Sequence, residues 1–129
     1  YRTSIVPTDG YIVLSARIAL SGGKKDEIRA KMEELREKRV TKQPLEYPSA
    51  GSTFKRPEGY FAGKLIQDAG LKGFSVGGAQ VSEKHCGFVI NTGNATAADV
   101  QSLIGEVIDR VRKTTNVTLE PEVKQIGEF

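Results

Sequence analysis

An apolar stripe near the C-terminal end constrains this chain more than any other feature of its sequence. Apolar side chains recur there at helical spacing: Val100, Leu103, Ile104, Val107, Ile108 and Val111. Thr96 can cap the helix, and Asp99 three residues later completes a variant of the capping box. A helix with one continuous apolar face buries that face against a second layer of structure. The rest of the chain must therefore supply a layer for this helix to cover.

Shorter patterns predict the elements that come before it. Residues 10–20 place apolar side chains on one side with period two, which predicts a strand. Residues 24–40 surround a sparse apolar row with charges and predict an amphipathic surface helix. Residues 41–57 hold several prolines together with apolar side chains, which predicts an ordered loop or short extended segment. Residues 60–69 predict a short helix.

The remaining segments decide the fold class. Gly70 stands where a left-handed residue closes the short helix. Residues 71–81 predict short β-structure broken by glycines, 88–91 predict a strand, and 117–120 predict a final strand. This mixed order predicts the α+β class, with a small, mostly antiparallel sheet and helices packed on one side.

Composition limits the classes of function. The chain has 129 residues, 38% hydrophobic and 27% charged, which suits one globular domain with a modest core. A net charge of +3 from scattered basic residues gives no case for nucleic acid, and no apolar run reaches the roughly 20 residues of a membrane span. One Cys and one His argue against a metal site. The chain opens at Tyr1 without an initiator Met or a signal-peptide layout, so we expect a piece of a longer polypeptide.

The segment around Ser52 is the sharpest candidate for chemistry. Gly51 permits an unusual backbone conformation that would display the Ser52 hydroxyl on a tight turn. Lys55 and Arg56 add two cations, and a helix that opens after Pro57 would help to receive an anion. From spacing alone, a Ser/Gly turn beside solvated cations explains these residues better.

Two chemical uses of Ser52 are open. It could be an acyl-transfer nucleophile only if His85, the sole His, met it as a base, and G-x-S-x-G is absent. It could instead donate a proton to a developing carbanion, which needs no triad. Glu122 lies beyond Pro121 and could act as a proton donor if partly buried, although a charged tail is the simpler interpretation. Cys86 leads into an apolar strand and is read as a small buried hydrophobe.

The glycine-rich stretch 73–79 does not match a phosphate-binding loop. It lacks the Walker spacing with its terminal Gly-Lys-Ser/Thr, and its glycines do not fit G-x-G-x-x-G. Bulges in short strands are the expected use of these glycines.

Six blocks, in order along the whole chain, carry a family resemblance. They are Tyr1-Arg2-x-Ser4; Lys42-Gln43-Pro44; Ala50-Gly51-Ser52-x-Phe54-Lys55-x-Pro57; Ala62-Gly63-x-Leu65-Ile66; His85-x-Gly87-Phe88 before Asn91; and Leu119-x-Pro121-Glu122-Val123. Together they resemble the UDP-N-acetylenolpyruvoylglucosamine reductase (UDP-N-acetylmuramate dehydrogenase, MurB) family, in its shorter subtype.

The resemblance implies a cytoplasmic oxidoreductase of peptidoglycan precursor synthesis, with FAD and NADPH as cofactors. The implied substrate is UDP-N-acetylglucosamine enolpyruvate, and the implied product is UDP-N-acetylmuramate. The resemblance implies an FAD domain upstream in the same polypeptide, and no FAD or Rossmann fingerprint occurs in this chain. Residues 1–9 are then expected to be the edge of that FAD-binding region, and residues 10–129 the C-terminal substrate-binding domain.

The resemblance also implies residue roles. Ser52 matches the serine that protonates the substrate carbon, while Arg2 and Glu122 match the charged pair at the enolpyruvyl carboxylate. Tyr1, Lys42, Arg56 and His85 match substrate-binding positions, although residue type varies in the family at the last two. Lys124 stands where an Arg is more usual, which keeps the charge but loses bidentate geometry. No metal is implied.

Two other functions stay open. Without its flavin domain the chain could be a catalytically silent module that binds a UDP-sugar or another anion. It could also be a Ser-dependent transferase or hydrolase that acts alone. A covalent serine probe that labels Ser52 would favour the latter.

Overall fold

The computed structural model of the chain describes residues 4–127, and it divides the chain into two compact units after Glu33. In the first unit, helix α1 (Ile5–Thr8) ends at Asp9, and the chain then has no helix or strand up to residue 24. Helix α2 (Lys25–Lys42) then begins, close to the predicted span of 24–40. No residue of α2 is buried, so its sparse apolar row stays in contact with solvent.

The strand predicted over 10–20 does not form within residues 4–127. Residues 11–20 have no regular secondary structure there, and none of the four strands pairs with them. A strand exists only where a second strand satisfies its backbone N–H and C=O groups, and side-chain alternation cannot reveal whether that second strand belongs to the same chain.

The second unit contains a four-stranded antiparallel sheet in the order β1-β4-β3-β2. Its strands are β1 (Ser49–Ser52), β2 (Ser75–Val76), β3 (Ala79–Val81) and β4 (Phe88–Asn91). The predictions of glycine-broken β-structure over 71–81 and of a strand at 88–91 are confirmed. Strand β1 lies within residues 41–57, which were predicted to be an ordered loop or short extended segment. Part of that segment is therefore a regular strand.

Two helices cover this sheet. Helix α4 (Ala97–Thr115) packs against β2 and β3, and helix α3 (Ala62–Asp68) packs against α4. The apolar stripe of α4 supplies the centre of the core, where Leu103, Val107 and Val111 are inaccessible to solvent. The predicted α+β class with a mostly antiparallel sheet is confirmed.

The ends of both helices follow the sequence signals. Thr96 Oγ1 accepts a hydrogen bond of 3.1 Å from Asp99 N–H, and an Asp99 carboxylate oxygen accepts one of 2.9 Å from Thr96 N–H. Gly70 has φ +72°, the left-handed conformation that glycine adopts without a Cβ clash. Both the capping box and the glycine cap are therefore confirmed.

The predicted final strand at 117–120 is wrong. The chain after α4 forms one isolated antiparallel bridge, between Pro121 and Phe54, instead of a regular strand. Proline has no backbone N–H, so it cannot donate to a ladder and it limits the pairing to this short stretch.

Candidate functional site

The Ser52 backbone is shaped by its neighbour Gly51. Gly51 has φ +84°, and the pairing of β1 with β4 is irregular between Ser49 and Ser52. Only glycine adopts this conformation without strain, and the irregularity interrupts the regular pairing at the end of β1. Ser52 is exposed there, opposite Phe88 of β4.

Thr53 anchors this strand end and is a residue that the sequence analysis missed. Its N–H donates to Gly87 O at 2.8 Å, and its buried hydroxyl accepts from Val89 N–H at 3.0 Å. Its carbonyl oxygen accepts from Glu122 N–H at 2.8 Å. Thr53 is therefore hydrogen-bonded both to the β4 side of the sheet and to the C-terminal segment. These bonds hold the backbone of the preceding Ser52 in place. A threonine beside a glycine and a serine gives no sequence signal for these tertiary bonds.

The segment around Pro121 brings Glu122 next to this anchor. Lys55 N–H donates to Glu120 O at 2.8 Å, so residues 53–55 run antiparallel to residues 120–122. The side chains of Lys55 and Glu120 also form an ion pair. Of the two acidic residues that flank Pro121, Glu120 thus offsets the charge of Lys55, while the partly buried Glu122 lies beside Thr53.

A concavity of about 460 Å³ adjoins Ser52. The hydroxyl-bearing strand end shares it with Arg39, in the last turn of α2, and with Gln43, which directly follows α2. The remaining lining residues are Pro44, Leu45, Tyr47, Pro48, Ser49, Gly51 and Phe88. A guanidinium, an amide and hydroxyl groups beside apolar walls form a surface that can hold an anionic, partly apolar ligand.

Arg39 and Gln43 are further residues that the sequence analysis missed. Arg39 Nε donates to Gln43 Oε1 at 3.3 Å, so the two side chains support one another across one helical turn. Lys42 lies between them in sequence and is exposed in the same last turn. Helical spacing indicates that residues 39 and 43 share a face, and this spacing is the sequence signal that could have identified the pair.

His85 is an exposed side chain beside the same strand pair. Its Nδ1 accepts a hydrogen bond of 3.1 Å from Gly87 N–H, which assigns a ring proton to Nε2. Its ring meets Phe88 edge to face, with centroids 5.0 Å apart. Gly63 of α3 permits this arrangement, because a Cβ there would come within 3.3 Å of His85 Cε1.

No hydrogen bond joins Ser52 to His85 in the part of the chain that is described. His85 instead contacts Gly87, Phe88 and the Ser82 hydroxyl, which accepts from the His85 backbone N–H at 3.3 Å. A serine nucleophile needs a base within hydrogen-bond reach, so this geometry gives no support to the hydrolase alternative.

Arg56 is held by the turn that follows it. Its Nε donates to Tyr60 O at 3.3 Å, and its guanidinium carbon lies 4.0 Å from the centre of the Phe61 ring. Arg56 is not among the described residues that line the concavity. Helix α3 (Ala62–Asp68) confirms the short helix predicted over 60–69, and it starts five residues after Pro57.

Cys86 is buried, and burial raises the pKa of its thiol. A raised pKa disfavours the reactive thiolate, so Cys86 serves packing, as predicted. Tyr1 and Arg2 lie outside the described residues. Among residues 4–127, none of the helices is both long enough and apolar enough to cross a bilayer.

Similarity to known proteins agrees with the six sequence blocks. The family model "UDP-N-acetylenolpyruvoylglucosamine reductase, C-terminal domain" matches residues 43–126. The chain is 72% identical over its whole length to a protein of that reductase name from Agathobacter rectalis, and 64% identical over 128 residues to one from Lachnoclostridium phytofermentans. It spans 41% of the length of each of these relatives.

A solved structure supports the same family assignment. The crystal structure of UDP-N-acetylenolpyruvylglucosamine reductase from Thermus caldophilus matches with a TM-score of 0.68 and 40% sequence identity. The match covers 84% of this chain and 38% of that one. The family model spans all four strands of the sheet and both packed helices, and so this chain belongs to the UDP-N-acetylenolpyruvoylglucosamine reductase family, of which it carries the C-terminal domain.

Proposed function

We propose that this chain is the substrate-binding part of a cytoplasmic reductase that converts UDP-N-acetylglucosamine enolpyruvate to UDP-N-acetylmuramate for peptidoglycan synthesis. In this proposal residues 10–129 belong to the C-terminal domain, and residues 1–9 border the FAD-binding region. The observation that carries it is the hydrogen bond from Glu122 N–H to Thr53 O, which holds two candidate catalytic residues at neighbouring backbone positions.

The residues present leave room for a flavin that another region would hold. A Cβ placed on Gly51 would meet no atom within 4 Å, so the backbone next to Ser52 faces open space. When bound, FAD that NADPH has reduced supplies a hydride to the methylene carbon of the enolpyruvyl double bond. The negative charge then falls on the carbon that bears the carboxylate.

Ser52, Glu122 and Arg2 would act on that charge. The Ser52 hydroxyl gives its proton to the carboxylate-bearing carbon, which completes the lactyl ether. Arg2 and Glu122 engage the carboxylate, and a cation there stabilises the transition state more than the ground state, because the charge develops only during the reaction.

The other site residues would bind the UDP-sugar. Lys42 with Arg39 presents positive charge at the end of α2 beside the concavity. Arg56 would meet the diphosphate, His85 the sugar from its Nε2–H, and Tyr1 another part of the substrate. Cations favour diphosphate binding, because charge-assisted hydrogen bonds are about twice as strong as neutral ones.

The decisive experiment is Ser52→Ala in the full reductase polypeptide, followed by stopped flow. We expect NADPH to reduce the flavin at the wild-type rate, while product formation falls about 10²- to 10⁴-fold, the usual contribution of a positioned proton donor. Ser52→Cys retains a proton donor and should recover part of the rate. A loss of flavin reduction itself would contradict the proton-donor role.

A second candidate function applies to the 129-residue chain alone. Because the concavity lies within residues 39–88, it does not depend on another domain for its walls. The isolated chain would then bind UDP without oxidising NADPH. Calorimetric titration of the isolated chain with UDP tests this function. Measurable binding supports a silent binding module, and no binding rejects it.

A further inference from the structure

Residues 4–33 contain large apolar side chains but no buried residue. The most exposed of them lie in the stretch between α1 and α2: Ile12, Leu14, Ile18 and Leu20 are 84%, 93%, 76% and 88% exposed. Single exposed apolar residues are normal on a protein surface, whereas a contiguous row marks an interaction site. No part of residues 4–127 buries these apolar side chains, so we expect them to be buried against a surface outside that range.

The exposed row has the periodicity of a strand with one buried face. Every even position from 12 to 20 is apolar, including Ala16. The odd positions are mixed, and they include Arg17, the only charged residue of this stretch. Because successive side chains of a strand point to opposite faces, the apolar positions form one face and Arg17 lies on the other.

The backbone of this stretch is also open for pairing. Tyr11 N–H donates to Val6 O at 3.0 Å, which closes the turn after α1. Beyond Tyr11, no strand of residues 4–127 forms a ladder with residues 12–20. A segment with open backbone N–H and C=O groups and an apolar face at strand spacing can add to the edge of a sheet.

The comparisons indicate where such a sheet lies. The match to the C-terminal domain family begins at residue 43, so this stretch falls outside the matched residues. The chain spans 41% of the length of its relatives, and most of each relative therefore lies outside it.

We propose that residues 11–20 are a β-strand of the neighbouring domain of the same reductase polypeptide, paired with an edge strand there and with the even-numbered face turned into that domain's core. This inference rests on the proposed function, which places the chain in a longer reductase. It moves the expected domain boundary from residue 9 to beyond residue 20. The chain thus crosses into the C-terminal domain through α2.

Hydrogen exchange followed by mass spectrometry tests this directly. We expect the amides of residues 12–20 to exchange about 100-fold more slowly in the full reductase polypeptide than in the 129-residue chain, as paired strands do. Equal, fast exchange in both proteins would overturn the proposal. Protection in the 129-residue chain that rises with its concentration would overturn it in favour of pairing between two copies.

A pair of variants tests which face is buried. Leu14→Glu places a charge on the even-numbered face and should abolish the protection of residues 12–20 in the full polypeptide. Ser15→Glu places the same charge on the other face and should preserve it. Loss of protection in Ser15→Glu but not in Leu14→Glu would contradict the proposed orientation.

Flavin absorbance separates this inference from the function on which it rests. Protected amides in a polypeptide without flavin or reductase activity would leave the strand standing and reject the proposed function. An active flavoprotein whose residues 12–20 exchange freely would reject the strand alone.

Discussion

The carbonyl oxygen of Thr53 accepts a hydrogen bond of 2.8 Å from the N–H of Glu122, across 69 positions of sequence. Thr53 also binds both Gly87 and Val89 on the β4 side. One threonine thus joins the C-terminal segment to the sheet, directly after Ser52. The position of Glu122 relative to Ser52 depends on this residue.

Thr53→Val should therefore destabilise the chain. Valine fits the space but leaves the buried Val89 N–H without an acceptor, which costs about 1–3 kcal/mol. Urea unfolding of the variant should show a lower midpoint with an unchanged slope. Thr53→Ser keeps the hydroxyl and serves as the control. A Thr53→Val protein as stable as the wild type would show that the hydroxyl contributes nothing.

Phe61 should support ligand binding by holding Arg56. The exposed cation–π contact is worth about 0.5–1 kcal/mol, so Phe61→Leu should weaken UDP binding about two- to five-fold. Calorimetric titration measures the change, and Phe61→Tyr, which keeps an aromatic face, should restore the affinity. In an Arg56→Ala background, Phe61→Leu should have no further effect. An additive loss in the double variant would show that Phe61 acts independently of Arg56.

Two glycines should respond to alanine in opposite directions. A Cβ at Gly78, in the turn between β2 and β3, would lie 2.4 Å from Ala95 N, so Gly78→Ala forces the turn away from the start of α4. We expect it to lower the free energy of unfolding by about 1–3 kcal/mol, as overpacking does.

Gly105 is the matched control. It is exposed within α4, and a Cβ there would meet no atom within 4 Å. Gly105→Ala should raise the free energy of unfolding by about 0.5–1 kcal/mol through helix propensity. Thermal unfolding of both variants checks the pair, and equal effects at the two positions would refute the clash.

Asp99 should make the stability of α4 depend on pH. Hydrogen bonds from Thr96, the backbone N–H first, lower the pKa of Asp99 from its usual value of 3.8. A lowered folded-state pKa contributes stability that is present above pH 3.8 and is lost as the pH falls through the folded pKa.

Asp99→Asn isolates this contribution. The variant should unfold at a lower temperature than the wild type at neutral pH, and the difference should shrink as the pH falls below 3.8. Thermal unfolding at a series of pH values measures this difference. Glu46, whose pKa is also lowered, cancels in the comparison because both proteins carry it. A difference independent of pH would show that the carboxylate charge has no part in the cap.

Local signals in the sequence determined much of this protein. The capping box at Thr96, the stripe of α4 and the glycine that closes α3 act over a few residues, so spacing alone predicted them. The blocks around Ser52 and Glu122 indicated the family. They also marked candidate residues whose roles stay predictions.

The tertiary structure alone determined which residues from distant parts of the sequence are neighbours. Thr53, Arg39 and Gln43 became part of the candidate site through contacts between elements distant in sequence, and no local pattern encodes such contacts. The strands predicted at 10–20 and 117–120 are absent from residues 4–127 for a related reason. Side-chain alternation is a property of one segment, whereas a strand requires a second backbone to receive its hydrogen bonds.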